Sequence, residues 1–182
     1  MLKNNFFRWV PLLAVLMAAC PSPQTRPGPT FDGSVHWAYA IAQPLITPFA
    51  PDVQLYYVLG AGISPDGRLP SNLGDWSFIA WSQSRNQEIQ VIVKYDGTTS
   101  TSTHAQATAP GSGLVVPAGW ANSPVIFQAT IPHRPSVSEA QLVAFNLNRY
   151  NALAWNQAVW NIHFDSGPNQ LVKWDGTYLG AQ

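Results

Sequence analysis

The chain repeats a hexamer, first as Val93-Lys94-Tyr95-Asp96-Gly97-Thr98 and then as Val172-Lys173-Trp174-Asp175-Gly176-Thr177. In each copy an Asp-Gly pair follows an apolar-polar alternation, which is a signal for a β-hairpin turn. The first copy ends a run in which Ile89, Val91 and Val93 lie on one face, with Glu88, Gln90 and Lys94 on the other. Because a period of two is typical of a half-buried strand, each hexamer is predicted to end one strand and begin the next.

The likeness extends upstream of both hexamers. Three pairs correspond in order, namely Ser34 with Ser123, Gln54 with Gln141, and Trp76 with Trp160. The offsets between the copies fall along the chain from 89 to 87, 84 and finally 79 residues. A steady decrease is expected if loops shortened in the second copy. A repeat of this size indicates a duplicated unit, and the two serines are predicted helix N-caps.

The first unit, residues 34–108, is predicted to be a helix followed by a meander. The helical spacing of Trp37, Ile41 and Leu45 predicts a helix over 34–46, limited by Pro44 and Pro48. Strands are predicted at 53–63, 76–82 and 88–95, with a returning edge strand over 98–103.

The second unit, residues 123–182, follows a linker rich in Gly and Pro at 109–122. Its predicted helix spans 123–131, and its predicted strands span 141–148, 158–165 and 171–174, with a return through 178–179. The predicted fold class is α+β, with two tandem units that each pack one helix on a three- to four-stranded antiparallel meander. Because one helix covers only one face of a sheet, each unit is predicted to leave the other face available.

The first 20 residues divide into three zones. Residues 1–8 carry Lys3 and Arg8 without an acid, residues 9–17 are apolar apart from Pro11, and Ala18-Ala19-Cys20 follow. A basic start, a short apolar core and small residues at its end are typical of a secretory signal. The core is about half of the ~20 residues that a transmembrane helix needs. Residues 1–19 are therefore predicted to be a cleaved signal peptide.

The end of this segment, Leu16-Met17-Ala18-Ala19-Cys20, resembles the lipobox of bacterial lipoproteins, with Met17 where leucine is commoner. The resemblance implies cleavage before Cys20, diacylglyceryl transfer to its thiol, and acylation of the new amino terminus by a group such as palmitate. Cys20 is also the only cysteine, and lipidation would remove a free thiol that is a liability outside the cytoplasm. The alternative is a plain signal peptide with an incidental cysteine.

Residues 20–33 are predicted to be a tether behind the lipidated cysteine. They contain four prolines and almost nothing apolar, a composition that favours extended polyproline conformation. At about 3.1 Å per residue the tether could reach roughly 40 Å. The predicted location is the cell envelope, with the chain anchored to a membrane through Cys20 on the extracytoplasmic side and facing either the periplasm or the cell surface.

The composition of the mature chain disfavours nucleic acid as a partner. Without residues 1–19 the chain has 163 residues, of which 7 are basic and 9 are acidic. A nearly neutral body has no electrostatic attraction for nucleic acid or for anionic lipid. Few charges with many Trp, Tyr, Thr and Ser residues are instead typical of an extracytoplasmic β-rich domain.

Sequence motifs for catalysis are missing. There is no Gly-x-Ser-x-Gly elbow, and the four histidines lack metal-ligand spacing; they are His36, His104, His133 and His163. Several carboxylates fall in turn signals such as Asp66-Gly67. We therefore predict no catalytic residue, no metal ligand and no cofactor. An undetected hydrolase is the third hypothesis for the function.

Aromatic residues are the remaining signal for function, because they are more numerous than a small core readily buries. Trp and Tyr on an exposed sheet face suit a protein, peptide or sugar surface. The alternative is that they build the interface between the two units. The candidate binding residues are Tyr56, Trp81, Trp120, Trp155, Trp174 and Tyr178.

Each predicted unit is a helix followed by a meander that ends in the pattern apolar-Lys-aromatic-Asp-Gly. The two units in tandem, over about residues 34–182, resemble PepSY-like domains and the tandem units of the β-lactamase inhibitor protein. The resemblance implies a non-catalytic binding or inhibitory module. Our first hypothesis is therefore a lipid-anchored binding module that contacts a protein or peptide partner. The alternative is an envelope structural or assembly lipoprotein.

Overall fold

The computed structural model describes residues 30–105, 115–134, 140–148 and 157–182, and these residues form an α+β fold. The α+β part of the predicted fold class is thereby confirmed. The predicted signal peptide, Cys20, most of the tether and Trp155 lie outside the described residues. None of the helices described is both long enough and apolar enough to cross a bilayer.

The chain order is one helix and four strands, followed by a second helix and four more strands. The first set comprises α1 (Val35–Ile46), β1 (Gln54–Ile63), β2 (Asp75–Ser82), β3 (Gln87–Lys94) and β4 (Thr99–Ala105). The second set comprises α2 (Ser123–Thr130), β5 (Ala140–Asn148), β6 (Gln157–Phe164), β7 (Gln170–Lys173) and β8 (Tyr178–Ala181). Short 3₁₀ turns at Thr47–Phe49 and Ile131–His133 follow the two helices. Every predicted helix and strand is present within a few residues of its predicted bounds.

All eight strands lie in a single antiparallel sheet with the order β4-β3-β2-β1-β5-β6-β7-β8. The two meanders join in the middle, where Val58 of β1 is opposite Phe145 of β5. Backbone hydrogen bonds therefore run from one predicted unit into the other, and the two units share one sheet.

The repeated hexamer forms the same turn in both halves. The Lys94 N–H donates to the Thr98 carbonyl at 2.9 Å, and the Lys173 N–H donates to the Thr177 carbonyl at 2.8 Å. The glycine in each turn has a positive φ, +79° at Gly97 and +93° at Gly176, which is a conformation that favours glycine. The predicted Asp-Gly hairpins are confirmed.

The two corresponding tryptophans also occupy equivalent places. Trp76 of β2 is opposite Val93 of β3, and Trp160 of β6 is opposite Val172 of β7. Both indoles are completely buried. Each hexamer therefore starts beside a buried tryptophan on the neighbouring strand.

Both helices pack on the same hydrophobic core, which lies on one face of the sheet. Helix α1 contacts β2 and β3, whereas α2 contacts β7 and β8. Helix α1 buries Val35, Ala38 and Ala42 completely, and the small alanines let the helix approach the sheet closely. The helix ends at Ile46 as predicted, with Pro44 inside its last turn. Leu45 is 40% exposed because the buried stripe runs through the alanines.

Side chains satisfy the first free N–H groups of α1, which the helix itself cannot pair. Ser34 is the N-cap as predicted, and its Oγ accepts from the Trp37 N–H at 3.3 Å. The other two acceptors come from the second half of the chain. The Val35 N–H donates to Ser123 Oγ at 3.0 Å, and the His36 N–H donates to Asn122 Oδ1 at 3.1 Å.

The prediction that Ser123 is the N-cap of α2 was wrong by one residue. The N-cap is Asn122, whose Oδ1 accepts from the Ser123 N–H at 2.9 Å, and Ser123 is the first helical residue. The Asn122 Nδ2 group also donates to Ser34 Oγ at 3.2 Å. Asn122 therefore caps both helices, so the two helix N-termini meet at one hydrogen-bonded junction.

The described part of the predicted linker, residues 115–122, packs against both halves. The Val116 N–H donates to the Leu55 carbonyl at 2.9 Å, and the Ala121 N–H donates to the Trp174 carbonyl at 2.7 Å. Trp120 is buried between them in the chain. This stretch is consequently part of the folded body.

Candidate functional site

The face of the sheet opposite the two helices, called here the helix-free face, is the broadest candidate surface. On β1, β2 and β3 its side chains are those that alternate with the core residues. Most of them are partly exposed and apolar or aromatic, whereas the core positions next to them are buried. The partly exposed apolar or aromatic residues of the helix-free face are Tyr57, Leu59, Ile79, Trp81 and Ile92.

At the other end of the helix-free face the apolar side chains are buried. Val159 of β6 and Leu171 of β7 alternate with the core residues Trp160 and Val172, yet both are completely buried. They form a second small hydrophobic cluster with Leu179 of β8. Partly exposed apolar surface is therefore concentrated on the half of the face that β1, β2 and β3 build.

Polar side chains lie both beside and within the open half of the face, where Gln90 is opposite Ile79 and Ser77 is opposite Ile92. Tyr56 Oη donates to Glu88 Oε2 at 2.6 Å, and Gln90 Nε2 donates to Ser77 Oγ at 2.8 Å. The buried polar atoms without a hydrogen-bond partner include the indole N–H of Trp81 and Oδ1 of Asn161. Such atoms are uncommon in native proteins because each costs about 1–3 kcal/mol. Both residues belong to this face.

The carboxylates of this face are far apart. Asp75 is opposite Lys94, and Glu88 lies six residues from Lys94 along β3, which corresponds to roughly 20 Å. Burial raises the pKa of Asp75, and Lys94 opposes that increase. A pair of carboxylates that hydrolyses glycosides is separated by only about 5–10 Å, so Asp75 and Glu88 do not have that geometry.

The four histidines lie at separate places. His36 is on α1, edge-on to Trp120, and burial lowers its pKa. His104 is 3.1 Å from Ser102 Oγ on β4. His133 stacks on Tyr178 with ring centroids 3.9 Å apart, and His163 is on β6. Within the described ranges, no three His, Cys, Asp or Glu side chains come together as a metal site would require.

Of the five predicted binding residues that the structure describes, two lie close together on this face. Tyr56 and Trp81 lie on β1 and β2 at the same end of the sheet, where Trp81 is opposite both Gln54 and Glu88. Trp120 lies elsewhere, because its ring stacks on Trp160 with centroids 5.7 Å apart and is 9% exposed. That contact joins the segment before α2 to the core, as the alternative of an interface role predicts.

The remaining candidates lie away from this pair. Trp174 is 37% exposed at the end of β7. Tyr178 of β8 stacks on His133 and donates from its Oη to Gln170 Oε1 at 2.6 Å. Trp155 lies outside the described residues.

Sequence reasoning missed the apolar residues of the helix-free face because it looked for tryptophan and tyrosine only. Leu59, Ile79 and Ile92 stand between core residues in their strands. A strand with one solvated face should carry polar residues at these positions. Three neighbouring strands carry apolar residues on both faces. This pattern in the sequence could have indicated that the second face is a candidate binding surface.

Comparisons of the chain with protein-family models, with curated proteins and with solved structures found no match.

Proposed function

We propose that the chain is a lipid-anchored, non-enzymatic binding module that contacts a protein or peptide partner with its helix-free face. The observation that carries this proposal is the row of partly exposed apolar side chains on β1, β2 and β3, on the face that no described helix covers. An apolar centre with a polar rim is typical of protein interfaces. Here Glu88, Gln90 and Lys94 supply polar groups beside that centre.

Two properties of this face favour a protein partner over a small ligand. The apolar side chains are spread over three adjacent strands, at about 4.8 Å per strand. Trp81 and the nearby Tyr56 are residue types that contribute strongly to protein interfaces.

The test of this surface uses acidic substitutions in the full chain. Ile79→Glu and Ile92→Glu each place a charge within the proposed interface, and we expect each to lower the affinity for the partner by at least about tenfold. The matched control is Ala40→Glu on the exposed side of α1. A photo-cross-linker at position 79 or 92 identifies the partner in cell envelopes, and purified partner then gives the affinity.

Two results would contradict a binding role for this face. The first is a cross-linker that captures the same proteins from position 40 as from position 79. The second is a purified partner whose affinity is lost equally in Ala40→Glu and Ile79→Glu. A turnover activity that a single Asp, Glu or His substitution abolishes would contradict the non-enzymatic role and favour the hydrolase hypothesis.

Cys20 is proposed as the anchor, on the resemblance of residues 16–20 to a lipobox. Replacing Cys20 with serine should release the protein from membranes and abolish incorporation of labelled palmitate. Unchanged labelling would contradict the assignment of the lipid to Cys20. The prediction of an extracytoplasmic location depends on the same segment.

The common order of the two halves supports the proposal that they arose by duplication. The helix and four strands recur in order, and the hexamers and the Trp-Val pairs coincide in register. This arrangement agrees with the resemblance to PepSY-like domains and to the tandem units of the β-lactamase inhibitor protein. That resemblance favours inhibition of an extracytoplasmic enzyme as the form that binding takes.

A second candidate function, assembly into an envelope complex, is favoured by the edge strand β4. All seven residues of β4 are exposed, and its pairing with β3 has no bulge. It contains no Lys and no Pro, which are residues that protect sheet edges from pairing with another chain. The opposite edge, β8, has only four residues and an irregular register.

The two candidate functions predict different effects of a charge on β4. If β4 extends a sheet shared with other subunits, Ser102→Lys should dissociate a stoichiometric envelope complex that survives detergent extraction. If the helix-free face binds a separate target, Ser102→Lys should leave that affinity unchanged while Ile79→Glu lowers it.

A further inference from the structure

A cleft of about 520 Å³ opens between α1 and the turn that joins β3 to β4. Its volume is within the range of about 300–1,000 Å³ that is typical of small-molecule sites. The cleft is on the helix side of the sheet and is separate from the helix-free face. It is lined by Phe31, Trp37, Ile41, Ser71, Tyr95 and the Asp96–Gly97 turn.

Three aromatic rings form most of the wall. Phe31 and Trp37 meet edge to face, with ring centroids 4.9 Å apart and an interplanar angle of 79°. Phe31 is 45% exposed, and Tyr95 is partly exposed. Rings at differing angles around one space are typical of the aromatic cages that bind methylated ammonium groups.

The turn at Gly97 lies against α1. A Cβ atom at this position would lie 3.8 Å from Trp37 Cζ2 and 3.9 Å from Ile41 Cδ1, which is ordinary van der Waals contact. Asp96, the preceding residue of the turn, also lines the cleft. The sequence Asp-Gly thus supplies both the bend and the charge.

Asp96 gives the cleft a fixed negative charge. Its Oδ1 accepts from Thr98 Oγ1 at 2.6 Å and from the Thr98 N–H at 2.9 Å, and these hydrogen bonds lower the pKa of Asp96. The side chain is therefore ionised at neutral pH. None of the residues that line the cleft is basic, so an anionic ligand would be repelled there and a cation would be attracted.

From the rings and the carboxylate we propose that this cleft binds a small organic cation that carries a quaternary ammonium group. The face of an aromatic ring attracts a cation, by about 0.5–2 kcal/mol depending on desolvation. Methyl groups on the nitrogen contact the apolar wall, while the positive charge is balanced by Asp96.

Calorimetric titration of the detergent-solubilised full chain with choline tests this site. We expect saturable one-to-one binding. The neutral isostere 3,3-dimethyl-1-butanol has the same shape without the charge, and it should bind at least about tenfold more weakly if the cation–π and carboxylate attractions operate. Equal binding of the two compounds, or no saturable binding of choline, overturns the proposal.

The repeat provides a matched pair of variants. Asp96→Asn should lower the affinity for choline about tenfold or more, whereas Asp175→Asn, at the equivalent turn of the second half, should leave it unchanged. Asparagine is also a favourable turn residue, so both variants should fold, and equal melting temperatures would verify that. Equal affinities in the two variants overturn the role of Asp96.

Two sources of this cation are distinguished by titrating phosphocholine in the same detergent. Phosphocholine adds a phosphate group, which Asp96 would repel. If phosphocholine binds at least about tenfold more weakly than choline, the natural ligand is a free cation. Equal binding of both compounds assigns a choline headgroup with its phosphate directed to solvent. Each result supports a quaternary ammonium site.

Discussion

The turn after β3 and the turn after β7 share a motif and a backbone geometry, yet their surroundings differ. The first opens on the cleft of about 520 Å³ beside α1. The second is packed under the start of α2, where the Ala121 N–H donates to the Trp174 carbonyl at 2.7 Å. A Cβ atom at Gly176 would lie only 3.1 Å from Val125 Cγ1, whereas its counterpart at Gly97 meets nothing closer than 3.8 Å.

This difference separates what a local motif specifies from what tertiary packing specifies. The Asp side chain accepts from the N–H two residues later at 2.9 Å in both turns, so six residues are enough to determine the turn. Whether a cleft exists beside it depends on the helix. Helix α1 has 12 residues and contacts β2 and β3, while α2 has 8 residues and contacts β7 and β8.

The largest expected effect tests whether the two halves unfold together. Trp76 and Trp160 are both completely buried, so replacing either with alanine should lower the free energy of unfolding by about 3–5 kcal/mol. Because backbone hydrogen bonds join β1 to β5, urea denaturation should show one transition in the wild type and in both variants. Trp76→Phe is the milder control.

Two separate transitions in Trp160→Ala, with the first half still folded, would contradict a shared cooperative unit. A loss of less than about 1 kcal/mol in either variant would contradict the equivalence of the two tryptophans, since a cavity of this size normally costs several kcal/mol.

The next effect concerns the junction between the helices. Asn122→Ala removes one acceptor from each helix N-terminus, from the His36 N–H of α1 and from the Ser123 N–H of α2. Loss of a single cap costs about 1 kcal/mol, so this variant should lose about 2 kcal/mol. Ser34→Ala, which removes the acceptor of the Trp37 N–H alone, should lose about half as much.

Asn122→Asp gives the control for this comparison. The aspartate keeps the acceptor oxygen but loses the Nδ2 donor to Ser34 Oγ, so its stability should lie between those of the wild type and Asn122→Ala. If Asn122→Ala were no less stable than Ser34→Ala in urea denaturation, the shared cap would not join the halves.

Much of this fold follows from the sequence because its signals are local. The alternation of Ile89, Val91 and Val93 predicts β3 and its buried face, and the Asp-Gly pairs predict the turns. The cap at Asn122 and the pairing of β1 with β5 could not be read in the same way. Both depend on contacts between residues about 85 positions apart, and local periodicity carries no information about such contacts.

The candidate surfaces were predictable only in part. The rule that one helix leaves a sheet face available led to the helix-free face, but a search for aromatic residues alone omitted Leu59, Ile79 and Ile92. The cleft was not predicted. Its wall combines Phe31 with Trp37 of α1 and Tyr95 after β3, and only tertiary packing brings these three segments together.

A third effect compares the two turns directly. Gly97→Ala and Gly176→Ala both put a side chain at a positive φ, which costs about 1 kcal/mol in each case. At Gly176 the new methyl group also meets Val125 Cγ1 at 3.1 Å, and this crowding should add about 1 kcal/mol. Thermal denaturation of the two variants measures the difference.

Gly176→Ala should therefore be the less stable variant. Equal losses would mean that Val125 and the start of α2 shift easily, and that the packed surroundings of the second turn are not rigid. A larger loss in Gly97→Ala would contradict the open surroundings of the first turn.

The smallest expected effect is a change in the pH dependence of stability, and it concerns two carboxylates in the first half of the chain. Ser82 Oγ and the Ser84 N–H each donate to the Asp52 carboxylate at 2.7 Å, and these bonds, together with one from Ser84 Oγ, lower the pKa of Asp52 to about 2. A lowered pKa in the folded state stabilises the protein above the ordinary value near 3.8, and this stabilisation is lost as the pH falls towards 2.

Asp75 should act with the opposite sign, because burial raises its pKa. Its ionisation opposes folding at neutral pH, and protonation relieves that penalty as the pH falls through the raised value. Melting temperatures at pH 7 and pH 2.5 should therefore differ less in Asp52→Asn than in the wild type, and more in Asp75→Asn. One of these carboxylates is hydrogen-bonded by serines, and the other is partly buried opposite Lys94. The same sign for both variants would mean that charge elsewhere on the sheet, and not these two groups, sets the acid stability.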